Sequence, residues 1–253
     1  MTVYSHSRIE SFKICPFKYK LSYIDGLDTL PSDEADNPLI VGIALHTGIE
    51  QGVEVGIESY KSSYNIMSDE HYNEIIKLES VIPKVEKFIN RDRATFEHKL
   101  LTDDFVGYVD YIEHIDDKTV KIYDFKYSNN VDRYLDSDQL HLYKYYFEKL
   151  NPGVKVAELG FLFVPKVGIK QKKTENIMEF RKRLVTELNK VDVQLVTVEY
   201  DANKVINFFE NLKHVIEAED YPKNETNFCR FCNFNNYCQK GVEFELINKK
   251  YEN

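Results

Sequence analysis

The sequence predicts an α/β fold, and two observations carry that prediction. Strand-like apolar runs stand at 94–101, in a hairpin at 107–126, at 156–165 and at 194–200. Amphipathic helical stretches at 39–60, 68–93, 137–150 and 203–219 surround and separate them. With 253 residues and 43% hydrophobic content, the chain can bury a sizeable core in one large domain or two small ones. Its net charge of -9 does not advertise nucleic-acid binding. Local patches and bound cations decide that question, not the total. The first residues are polar, so no signal peptide is expected. No run is long and apolar enough for a bilayer. The expectation is a soluble cytoplasmic protein with no membrane partner.

Each element has a local reason. Residues 4–24 begin a helix, with Ser7 and Glu10 spaced as a capping box and Ile9 and Phe12 as its apolar edge. Pro16 suits the first turn of a second helix. That puts Cys15 at a helix N-terminus, where the dipole favours a thiolate. Residues 25–38 read as a loop, and Asn37–Pro38 as a helix start. The helix that follows carries His46, and Gly42, four residues earlier, leaves room beside the imidazole. A long helix over 68–93 is interrupted by Pro83. The strand at 94–101 contains Glu97. Asp136 is the expected N-cap of the 137–150 helix, which sets Gln139 and Tyr143 on one face. Residues 166–190 are the main basic segment, including Arg181, Arg183 and Lys190. They read either as an exposed connection or as a phosphate-backbone contact. The 203–219 helix turns Val205, Ile206, Phe209, Leu212 and Ile216 inward.

The hairpin is where chemistry concentrates. Asp116–Asp117–Lys118 is its turn. Alternation points Val120, Ile122, Asp124 and Lys126 one way and Lys121, Tyr123, Phe125 and Tyr127 the other. Asp110 on the first strand is brought close to Asp124. Two carboxylates about 4 Å apart repel by roughly 4 kcal/mol at an effective dielectric near 20. A divalent cation such as Mg²⁺ reverses that sign and eases ionisation of an attacking water. Lys126 would orient that water or stabilise charge at phosphorus. The plainer reading is two solvated acids beside a surface salt bridge.

Four cysteines complete the pattern: Cys15, Cys229, Cys232 and Cys238. The last three read C-x₂-C-x₅-C. Disulfides are not expected in a cytosolic chain of this size. Four thiolates suit a [4Fe–4S] cluster, with zinc as the alternative. Either would staple the N-terminal segment to the 229–238 tail and supply much of that tail's folding free energy.

Taken together, these pieces resemble the RecB-like branch of the PD-(D/E)XK nucleases. The likeness is to members with an iron–sulfur cluster: the CRISPR-associated adaptation exonucleases, the AddB nuclease domain and related phage proteins. SHSRIESFKICPFKYKLSYI is similar to the first cysteine motif, GIALHTGIE to the histidine helix, GYVD to the first acidic motif, YDFK to the (D/E)XK element, QLHLY to the Q-x₃-Y helix, and CRFCNFNNYC to the cysteine triplet. The resemblance implies a restriction-endonuclease-like mixed β-sheet flanked by helices, in one domain over 1–253. It implies metal ligands at His46, Asp110, Asp124 and the Phe125 carbonyl, for Mg²⁺ or Mn²⁺. It implies Lys126 at the water, and Gln139 and Tyr143 supporting the strand or Lys126, with Glu97 behind the ligands. The activity implied is exonucleolytic hydrolysis of DNA, on single strands or duplex ends. Recombination or repair, phage DNA metabolism (in host cytoplasm) and CRISPR adaptation are its settings, with a helicase or similar partner and oligomers conceivable. The alternatives are a non-cleaving nucleic-acid-binding or assembly subunit and a zinc-stapled structural protein.

Overall fold

The computed structural model describes residues 3–30, 32–243 and 245–248. The chain forms two compact units. One gathers residues up to Ser32, the segment Leu101–Gly107 and the chain from Asp201; the other holds Asp33–Leu100 and Tyr108–Tyr200.

Helix α1 spans His6–Ile14 and is capped by Ser5, whose Oγ accepts the Arg8 N–H at 3.1 Å. The cap therefore precedes the expected Ser7, which hydrogen-bonds to the Ser5 hydroxyl instead. Extended backbone at Cys15 breaks the helix, and Pro16 opens α2 (Pro16–Tyr19), which runs into a π turn at Lys20–Ile24. The expected loop contains a short strand, β1 (Leu27–Thr29).

Asn37 caps α3 (Pro38–Gln51), its Oδ1 accepting from the Leu39 N–H at 3.0 Å. The single helix expected over 39–60 is two, because Gly52 adopts φ 109° and starts α4 (Val53–Ser62). The two helices approach closely at their glycines. A Cβ on Gly56 would lie 2.6 Å from both the Ala44 carbonyl oxygen and Gly48 Cα. Backbone cannot retreat as a side chain can. Gly56→Ala should therefore cost about 2 kcal/mol in urea unfolding despite its better helix propensity.

Helix α5 (Asp69–Val81) gives way to 3₁₀ turns at Ile82–Phe88 and Arg91–Arg93, so Pro83 tightens the helix at its end rather than kinking it midway. Then come β2 (Ala94–Leu101), β3 (Val106–Asp116), β4 (Thr119–Tyr127), α6 (Val131–Leu135), α7 (Gln139–Leu150), β5 (Lys155–Val164), α8 (Ile177–Leu188) and β6 (Gln194–Val198). The expected Asp136 cap falls at the end of α6; α7 begins after Asp138. The five strands form one sheet in the order β2-β3-β4-β5-β6. β3 and β4 are antiparallel, β4 and β5 parallel, β5 and β6 antiparallel. A parallel neighbour needs a crossover, and α7 lies in it.

The sheet is covered on both faces. Tyr123, Phe125, Leu162 and Val164 join residues of α3, α4, α5 and α8 in one core cluster. Helix α7 packs against β4 and β5 from the other side, burying Leu140, Tyr143, Tyr146 and Phe147. This is the mixed α/β architecture expected.

Helix α8 occupies the segment expected to be a basic connection. Asn176 and Glu179 cap it reciprocally, and Phe180, Leu184 and Leu188 are buried. Both of its arginines are paired internally, Arg181 to Asp69 and Arg183 to Glu175, as is the adjoining Lys190 to Glu187. Those three are not a free phosphate-binding stripe.

In the other unit follow α9 (Ala202–Glu217), a 3₁₀ turn (Asn227–Phe231), α10 (Asn235–Lys240) and β7 (Leu246–Asn248), which pairs antiparallel with β1. The buried face of α9 is Val205, Phe208, Leu212 and Val215. Ile206 and Ile216, expected inward, are exposed. No helix among the described residues is long and apolar enough to cross a membrane.

Candidate active site

The β3–β4 ladder reaches the Tyr111–Tyr123 pair and goes no further. At the next position Asp110 turns its carboxylate into the gap, and Oδ2 accepts the Phe125 main-chain N–H at 2.7 Å. An extended residue sends its N–H and C=O to the same side of its strand, so the Phe125 carbonyl faces this gap too. The Phe125 ring points into the core, edge-on to the His46 ring at 5.7 Å.

Helix α3 delivers His46 to the same place. Its Nδ1 lies 3.6 Å from Asp110 Oδ1 and 3.8 Å from Glu97 Oε1. One ligand atom from each of the three lies within 4.8 Å of the others. Glu97 arrives through a backbone irregularity. Its φ is 48°, inside strand β2. A non-glycine residue there costs on the order of 1–3 kcal/mol and persists where the surroundings enforce it. Glu97 thus stands beside His46 and Asp110 rather than behind them. An isolated acid in ATFEHKL was the available sequence signal; the kink that aims it has none.

Asp124, Lys126, Gln139 and Tyr143 form the second half of the site. Lys126 Nζ lies 2.5 Å from Asp124 Oδ2 and donates to Gln139 Oε1 at 3.0 Å. Gln139 Nε2 donates to Asp124 Oδ1 and to Tyr143 Oη, each at 2.8 Å. One amide therefore sets the lysine, the carboxylate and the tyrosine at once. Tyr143 is buried behind it. The Lys126–Asp124 contact is an ion pair without hydrogen-bond alignment, so Asp124 Oδ2 is a buried acceptor lacking an aligned donor.

Acid outweighs base here. Burial disfavours the ionised form of Asp110 and Asp124 adds to that, so its pKa is raised against the opposing pull of His46 and Lys126. Burial would lower the His46 pKa, but Asp110, Glu97 and Asp124 overcome it and hold the imidazole at about 9. Lys126 stays protonated, because Asp124 and Asp110 outweigh its burial. The Tyr143 phenol is pushed well up by burial and by the same two acids.

This set fits a divalent cation. Hard carboxylate oxygens and an imidazole face one another, one buried carboxylate oxygen lacks an aligned donor, and three carboxylates, of Glu97, Asp110 and Asp124, outnumber the two cations His46 and Lys126. His46, Glu97, Asp110, Asp124 and the Phe125 carbonyl are the residues that would hold it. A cation must displace the His46 proton. Apparent Mn²⁺ affinity should therefore rise about tenfold per pH unit between about 7 and about 9, more steeply below about 7 where Asp110 must also lose its proton, and level off above about 9. The sign for stability is opposite. The His46 pKa is raised above its ordinary 6.5, so its contribution is full below that value and lost as pH rises through about 9. The melting temperature in EDTA should fall over that window, and the gain from Mn²⁺ should grow.

The cysteines do not converge in the same way. Among the described residues no three of their sulfurs lie within 4.8 Å of one another. Cys15 Sγ accepts the Asn224 N–H at 3.5 Å, and Cys229 Sγ accepts the Thr226 N–H at 3.4 Å. Cys15 is thus tied to the distant Asn224 segment and Cys229 to its own turn, and no grouping of sulfurs among the described residues supports the expected [4Fe–4S] cluster. All four thiols are free and half-buried in the unit formed by the chain ends.

A crystal structure from Eubacterium rectale, named as a candidate exonuclease, superposes with a TM-score of 0.55 at 13% identity, covering 90% of this chain and 87% of that one. The structure of SSO0001 aligns at 11% identity with a TM-score of 0.36, covering 90% and 95%. A search of curated proteins gives no match. The first of these likenesses agrees with a restriction-endonuclease-like fold. The profile of the PD-(D/E)XK nuclease superfamily matches residues 3–239, nearly the whole chain, and this protein belongs to that superfamily.

Proposed function

We propose that this chain is a divalent-metal-dependent deoxyribonuclease that digests DNA strands from their ends. The observation that carries this reading is a convergence. The His46–Glu97–Asp110 group and the Asp124–Lys126–Gln139 network meet where the β3–β4 ladder stops. The name given to the Eubacterium rectale relative supports the exonucleolytic part.

The bound cation supplies charge neutralisation and eases ionisation of the attacking water. The chain's own residues do the rest. Lys126, held as a cation, donates to the phosphate oxygens as negative charge builds there. Gln139 fixes Lys126 and Asp124 in one geometry, and Tyr143 fixes Gln139. Tyr143 is thereby a positioning residue. Water adds to phosphorus and gives up one proton, the bond from phosphorus to the leaving oxygen breaks, and that oxygen takes up one proton, so the step balances. Among cofactors, the divalent cation rests on this geometry; the iron–sulfur cluster rests on cysteine number and spacing alone.

The test compares linear and covalently closed single-stranded DNA in Mn²⁺. Degradation of the linear strand with the circle intact is the expected result. Cutting of the circle contradicts digestion from ends, and cutting of neither contradicts the nuclease reading.

A further inference from the structure

Lys126 is held from more sides than its two polar partners supply. Its Nζ stands over two aromatic rings, 5.2 Å from the centre of Tyr134 and 5.7 Å from that of Phe161. Register accounts for Phe161. Across the parallel β4–β5 ladder it pairs with Asp124, and Phe163 pairs with Lys126, so both lie beside the site. Tyr134 comes from elsewhere. It lies on α6, the short helix between β4 and α7, which Asn130 caps. Its ring packs on those of Phe161 and Phe163, at 6.1 and 5.8 Å between centres. Neither the sheet nor α7 brings it to Lys126.

This aromatic wall acts differently from Asp124 and Gln139. An ammonium has three N–H donors. Gln139 Oε1 takes one at 3.0 Å, and the Asp124 carboxylate lies on a second side at 2.5 Å. An aromatic face attracts the charge but has no lone pair with which to claim the remaining N–H. Water in the same place would claim it. The Lys126 side chain is only 17% exposed, so the rings stand where solvent would. We propose that Tyr134 is a positioning residue for Lys126, its ring face holding the ammonium so that the remaining N–H is presented to the phosphate. This rests on the nuclease reading and adds a residue outside the Gln139 network. Lys126 acts on charge that builds at phosphorus, so its placement counts in the transition state. The effect of Tyr134 therefore belongs to turnover rather than to binding.

Two variants and two readouts test this. Tyr134→Leu removes the ring face, and Tyr134→Phe keeps it. On single-stranded DNA in Mn²⁺, Tyr134→Leu should lower kcat about tenfold with KM within about twofold, the size of a desolvated cation–π contact. Tyr134→Phe should stay within about threefold of wild type, since the ring face remains. The second readout needs no turnover. Urea unfolding in EDTA of wild type, Tyr134→Leu, Lys126→Met and the double variant gives the coupling between the two side chains. Tyr134→Leu should lower the folding equilibrium constant about fivefold more in wild type than in the Lys126→Met background. Equal losses in the two backgrounds overturn the proposal and leave Tyr134 as cover for Phe161 and Phe163. A rise in KM in place of the fall in kcat also overturns it, as does a kcat loss in Tyr134→Phe as large as in Tyr134→Leu. All three leave the nuclease reading standing. Coupling in EDTA without any cleavage by wild type overturns the nuclease reading, and the catalytic part of this proposal with it.

Discussion

Asp110→Asn should lower DNA cleavage by about 10³-fold or more while leaving the protein as stable as wild type, or more stable, in EDTA. The two halves of that expectation have one cause. Asp110 is buried beside Asp124, and its ionised form is disfavoured there by burial and by that neighbour. Asparagine keeps an oxygen for the Phe125 N–H, which Asp110 Oδ2 now accepts at 2.7 Å. Only the charge is lost. In the absence of metal this relieves repulsion; in its presence it removes a ligand. Thermal melts should show a smaller rise on adding Mn²⁺ for the variant than for wild type. A variant that cleaves normally would remove Asp110 from the site.

Lys126→Met should also lower cleavage by about 10³-fold, but with the opposite effect on stability. Lys126 is the fixed cation beside Asp124, whose side chain is 2% exposed. Taking one partner from a buried ion pair leaves the other uncompensated, at a cost of about 3 kcal/mol or more. Gln139 Oε1 loses its donor as well. In EDTA the variant should unfold at clearly lower urea. Mn²⁺ should restore part of the loss, because a cation in the gap stands in for the ammonium. Opposite stability effects from two substitutions in one site are the signature of an acid surplus held for a metal ion. Equal destabilisation by both would mean a merely structural network.

Much of this arrangement was legible in the sequence, and the particular failures share a cause. The hairpin was readable because period-two alternation in TVKIYDFKY fixes both the strand and the face of each side chain. The start of α3 was readable because Asn37–Pro38 is a local signal that needs no tertiary context. Helix α8 was hidden because its surface is dense in Lys and Arg, which masks Phe180, Leu184 and Leu188 at helical spacing. The buried face of α9 was misjudged because Ile206 and Ile216 are apolar yet exposed, and periodicity alone does not choose between adjacent stripes. At the site, the acids and Lys126 could be singled out by residue type. The role of Glu97 could not, since it depends on a left-handed backbone angle within a strand. The amide bridge of Gln139 also depends on tertiary placement, because it joins three side chains from a helix and a strand.

The most direct measurement is the release of labelled nucleotide from an end-labelled single strand by wild type and Asp110→Asn, each with Mn²⁺ and with EDTA. The account expects release by wild type in Mn²⁺ alone, with the variant at the EDTA background although its melting curve shows it folded. Release by wild type in EDTA, or undiminished release by the variant, would contradict a metal-dependent site built on the β3–β4 gap.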